Sequence, residues 1–165
     1  MAESTATRAT TNSEQFLTFL LPPNQKVMIS TKQLVEIVNI SINQIVPIPD
    51  VPSHVMGVSN WRGEVLWLVD LGYMLGFDPL HAIGGYTQVT YKTILVRSQG
   101  QIMGLVVGGV AQMIWCTPDQ IQPSSTNYVT AELASYLRGY YLAPDRGLTL
   151  VLDGDALTGS MLTRA

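Results

Sequence analysis

Two aspartates, two histidines, one cysteine and one serine near an arginine are the side chains of this chain whose types and spacing could do chemistry. Asp70 and Asp153 each follow a short apolar run, at 65–69 and 148–152, and a pair of carboxylates can serve as general acid and base. Aspartate between a strand and a following apolar segment is also a favoured helix cap, and that reading takes precedence at both positions. His54 and His81 stand outside any His/Cys/Asp/Glu cluster at ligand spacing, so no metal is expected. Ser59 lacks a Gly-x-Ser-x-Gly elbow. Cys116, beside Trp115, reads as a small packed residue. Gly104, Gly108 and Gly109 lack the Lys-Ser/Thr ending of a phosphate loop. These residues imply no catalytic group and no cofactor.

A contact surface is the better reading, and it centres on Trp61 and Arg62. Residues 55–71 read as two strands about a tight turn, with Asn60-Trp61-Arg62-Gly63 as turn chemistry and Gly63 free to take positive φ. Gly57, inside the first of these strands, marks a bulge or a close backbone approach. Hairpin tips usually carry small polar residues, whereas this one carries an indole beside a guanidinium, two groups favoured at interface hot spots. Arg62 is then either a docking residue, a solvated tip or a strut holding the turn. Glu36, a lone charge in the apolar run 34–37, is either an outward-facing strand residue or a structural or interface partner.

Composition narrows the partners. Charged residues make up 13% of the 165, about half the usual share, so apolar area must remain at the surface for protein partners. A net charge of −3 argues against nucleic acid, and no polybasic cluster suggests binding to anionic lipid. No run approaches the roughly 20 apolar residues of a spanning helix. One cysteine permits no intrachain disulfide and fits a reducing, cytoplasmic setting. Residues 1–13, rich in Thr, Ser and Ala, read as a disordered tail.

The elements that position the turn are short. Strands are expected at 16–21, 26–29, 93–97, 101–107, 110–115 and 148–152. The run 34–40 favours strand, with a helical turn around 31–35 left open. Three prolines make 45–52 an extended connection. Short helices are expected at 71–77, 132–138 and 156–162. The order of features repeats about 75 residues apart (hairpin, strand, Gln-Ile before a proline, glycine, Arg-Gly, apolar run, Asp). Each half is too small to be securely stable alone. Closure removes strand edges, so the expected fold is all-β: two packed five-stranded barrels with short helices. They form one domain over 14–162, with units at roughly 14–80 and 86–155 and strand crossover left open.

Leu34-Val-Glu-Ile37, Ile48-x-x-x-Pro52, Val55-x-Gly57-Val-x-Asn60-x-Arg62-Gly63 and Leu68-Val-Asp70-Leu71 together resemble the CheW family. Gly104-Leu-Val-Val107, Val110, Gln120-Ile121, Pro123 and Tyr136-Leu137-x-Gly139 extend the resemblance over 14–162. It departs at Gly108, where many members carry Asp, and at Trp61 and Trp67. The resemblance implies SH3-like barrels and a non-enzymatic adaptor. Such a protein couples the cytoplasmic tip of methyl-accepting chemoreceptors to the regulatory domain of a CheA-type histidine kinase, in chemotaxis or in pilus motility or phototaxis. It also implies a cytoplasmic protein recruited to receptor arrays without inserting into the membrane. The expected partner-binding residues are Leu34, Glu36, Ile37, Gly57, Asn60, Trp61, Arg62 and Gly63, of which the resemblance implies a coupling role for Arg62 and its turn, Glu36 and Gly57. The alternative is a small-ligand-binding regulatory barrel with its pocket between the two units.

Overall fold

The computed structural model describes residues 12–82, 89–98, 100–123, 131–144 and 147–164. Arg146 and the Gly84-Gly85 pair lie outside them, as does most of the expected tail.

Eleven strands appear among these residues: β1 (Glu14–Leu21), β2 (Gln25–Ser30), β3 (Leu34–Ser41), β4 (Val55–Trp61), β5 (Glu64–Asp70), β6 (Thr90–Ser98), β7 (Gln101–Val107), β8 (Gly109–Cys116), β9 (Ile121–Gln122), β10 (Leu137–Leu142) and β11 (Leu148–Leu152). Three helices join them: α1 (Leu71–Met74), α2 (Ala131–Ala134) and α3 (Gly154–Arg164). The open question at 31–35 resolves as one 3-10 turn, Thr31–Gln33, ahead of β3. The helix expected over 132–138 is a correction. It ends at Ala134, and Leu137 begins a strand, because Gly139 sits at a bulge where β10 pairs with β11.

The strands form two sheets, ordered β3-β6-β7-β5-β4 and β8-β1-β2-β11-β10-β9. Each half of the chain lends its first hairpin to the other sheet. β1 and β2 sit among the C-terminal strands, and β6 and β7 among β3, β4 and β5. The lent hairpins are held by parallel pairing of β2 with β11 and of β7 with β5. Both sheets curl until their ends meet. In the first, the chain beyond β3 returns to β4 through a Val46–Val58 bridge, with N···O distances of 2.8 and 2.9 Å. In the second, the chain beyond β8 returns as β9 and pairs with β10, so that barrel counts six strands. The two returns are built alike. Ser41 and Gln44 form a capping box around one 3-10 turn, and Thr117 and Gln120 form another around its counterpart.

Three apolar clusters follow from this. The first barrel encloses Ile40, Leu66, Leu68, Leu80, Tyr91, Leu95, Ile102 and Val106. The second encloses the smaller set Phe16, Met28, Cys116 and Val151. The largest cluster draws on both sheets, with Leu17, Phe19 and Leu150 from one and Val69, Ile94 and Leu105 from the other, and it fills the space between the barrels. Strand alternation produces this split: Phe16 points into its barrel while Leu17 points at the neighbouring one.

Candidate partner-binding site

The hairpin of β4 and β5 turns through two residues, Arg62 at φ 51° and Gly63 at φ 83°. Positive φ at both central positions matches the right-handed twist of the flanking strands. Glycine takes that conformation freely, whereas an arginine there costs about 1–2 kcal/mol. Asn60 steadies the turn, its Oδ1 accepting from the Gly63 N–H at 3.1 Å.

Trp61 packs its ring on the core of the first barrel, and the Arg62 guanidinium lies over that ring, 4.8 Å from its centroid. Arg62 Nη2 reaches Glu36 Oε1 on β3 at 3.1 Å. Glu36 is positioned by a register shift between Leu34 and Glu36 in the pairing of β3 with β6. The ion pair therefore spans the seam where the two end strands of the barrel, β3 and β4, approach each other. The Arg62 side chain is 69% exposed, and a pair so close to water contributes about 0–1 kcal/mol. Next to it Glu64 is engaged by Arg97, with Nη2···Oε2 at 3.2 Å, a contact that the sequence reading missed. Glu64 and Arg97 lie 33 residues apart on strands that are not neighbours, so nothing local in the sequence signals their contact.

The structure thus brings Glu36, Trp61 and Arg62 into one surface cluster, with Asn60 and Gly63 shaping its turn. It places the other three residues elsewhere. Leu34 and Ile37 pack on the cluster between the barrels. Gly57 is buried at φ 143°, where a Cβ would stand 2.3 Å from the Val46 carbonyl oxygen. Its service is to the barrel closure beneath the site.

The groups first considered for chemistry are occupied otherwise. Asp70 Oδ1 accepts from the Tyr73 N–H at 3.2 Å and Oδ2 from the Leu80 N–H at 2.8 Å, and burial raises its pKa. Asp153 Oδ1 accepts from the N–H groups of Asp155 and Ala156, both at 3.1 Å, capping α3. Burial pushes the Cys116 thiol up to about 11, so it is not a thiolate at neutral pH. Among the described residues, no three His, Cys, Asp or Glu side chains gather as a metal site. No helix there is long and apolar enough to cross a membrane.

Known proteins are similar to this chain in sequence and in fold. The model of the CheW-like domain family matches residues 15–161. A chemotaxis protein CheW from Klebsiella aerogenes is 30% identical over 142 residues, covering 86% of this chain and 80% of that protein. A probable chemotaxis protein CheW from Rhizobium etli is 28% identical over 109 residues, and the match spans 66% of its length. The match to the Rhizobium meliloti chemotaxis protein CheW spans 64% of that protein. The crystal structure of the scaffolding protein TtCheW from Thermoanaerobacter tengcongensis superposes with a TM-score of 0.70 at 22% identity, covering 85% of this chain and 88% of that one. That likeness shows the fold, a pair of SH3-like barrels.

Proposed function

The chain belongs to the CheW-like domain family, and from that premise we propose that it is a non-enzymatic chemotaxis scaffold. It couples the cytoplasmic tip of methyl-accepting receptors to the regulatory domain of a CheA-type histidine kinase, and is recruited from the cytoplasm to receptor arrays. The partner-binding surface is the Glu36–Trp61–Arg62 cluster, with Asn60 and Gly63 setting its shape and Leu34, Ile37 and Gly57 supporting it from within. Supporting this reading are names that relatives carry: chemotaxis protein for those from Klebsiella and Rhizobium, and scaffolding protein for TtCheW.

One observation carries the assignment. Arg62 holds a left-handed backbone conformation that costs energy, to place an exposed guanidinium that returns little stability. A side chain kept on such terms earns its place through what it contacts outside the molecule. Arg62→Asn tests this, because asparagine before glycine suits the turn and lacks the guanidinium. The melting temperature should hold or rise. Affinity for purified kinase regulatory domain or soluble receptor fragment should fall 5- to 150-fold, about 1–3 kcal/mol. Unchanged affinity for both partners would refute the surface.

A further inference from the structure

The two barrels are near-copies, and their seams end differently. Counting from the capping boxes, Glu36 corresponds to Gln112. Counting from the bulge glycines Gly57 and Gly139, Trp61 corresponds to Ala143 and Arg62 to Pro144. Their pairings agree: Asn60 faces Val65 as Leu142 faces Leu148, and the Ala143 N–H donates to the Gly147 carbonyl at 3.0 Å.

In the first barrel the Trp61 ring packs on the enclosed core with Arg62 laid over it. In the second, where alanine and proline replace them, a cavity of about 240 Å³ opens, lined by Leu20, Gln112, Ile114, Tyr141, Ala143 and Pro144 among others. Its floor is the small core of that barrel, against which Ile114 and Tyr141 pack. Its wall is braced at a register shift between β1 and β8, where Thr18 Oγ1 donates to the Gln112 carbonyl at 2.7 Å and accepts from the Gln112 N–H at 3.0 Å.

We infer that the mouth of the second barrel is a binding pocket for an uncharged aromatic ring, taking from outside the group that the first barrel supplies from its own chain. The volume is of the order of one large ring, the lining is largely apolar with Lys26 as its one charged side chain among the described residues, and the same fold packs an indole at the equivalent place. The ring can come from a free aryl ligand or from a tryptophan or tyrosine of a partner. This site is independent of the Arg62 surface, and its test does not depend on the coupling role.

The probes are indole and N-acetyl-tryptophanamide, titrated into the full chain with the methyl groups of Leu20 and Ile114 followed by NMR. Saturable shifts at both methyls, with a Kd on the order of 1 mM, are expected. Tighter binding of the amide marks a peptide-borne ring, and equal or tighter binding of indole marks a free ligand. Ala143→Trp should plug the mouth, weaken both probes at least tenfold and raise the melting temperature by about 2–4 °C. No saturable shift at Leu20 and Ile114 in the unaltered protein overturns the pocket. Undiminished probe binding by folded Ala143→Trp does so too. If that variant does not fold, the methyl titration decides alone.

Discussion

Single residues in this protein carry their charges where the barrels need tying. Glu14, at the start of β1, receives Arg138 from β10 at 3.2 Å and Lys32 at 3.8 Å. Burial alone would raise its pKa, but the Ser30 hydrogen bond and the Arg138 and Lys32 charges outweigh it and hold the carboxyl below its ordinary value. A depressed acid contributes stability above its unfolded pKa and loses it as pH falls through the folded one. Glu14→Gln should therefore cost about 1–2 kcal/mol at pH 7. The deficit should shrink on acidification until mutant and parent unfold alike below the carboxylate range. Urea melts across pH check this, and a deficit that stays constant with pH would contradict it.

At the scale of elements, the bulge glycines set the curvature that lets each barrel close. Gly57 and Gly139 lie at φ 143° and 157°, and a Cβ on them would stand 2.3 and 1.9 Å from the carbonyl oxygens of Val46 and Gln122. Those oxygens belong to the returning segments that complete the barrels. Backbone cannot yield as a flexible side chain can, so Gly57→Ala should cost about 2–4 kcal/mol. Gly63→Ala has open space around its Cβ and meets only the positive φ, so it should cost about 1 kcal/mol. Thermal melts of the two variants should keep that order.

For the whole molecule, exchange of hairpins makes the halves interdependent. A fragment ending near residue 89 would lack β6 and β7, the centre of the first sheet. It would also leave β1 and β2 without β8 and β11. We expect residues 1–89 and 90–165 to be unfolded separately by circular dichroism, and to regain native signal when mixed. A cooperative melt from either fragment alone would count against this. Leu105, wholly buried between the barrels, should cost about 2–5 kcal/mol on truncation to Ala, with one unfolding transition reported by both barrels.

The sequence by itself determined the all-β class, most strand positions, the repeat, the capping aspartates and the turn at Arg62-Gly63. These depend on local chemistry: alternation, β-branched runs, glycine at positive φ, and carboxylates before helices. It missed β10, because Tyr136 to Arg138 reads equally as the end of a helix and only pairing with β11 selects strand. Sheet membership was beyond its reach, since β1-β2 and β6-β7 carry the same alternation whichever barrel receives them. The partners of Arg62 were left open for the same reason. Glu36 is 26 residues away along the chain, and only closure of the barrel brings its carboxylate to 3.1 Å. The open mouth at Ala143 is likewise a tertiary fact: alanine at a strand end is unremarkable until its counterpart is seen to be a tryptophan packed on a barrel core.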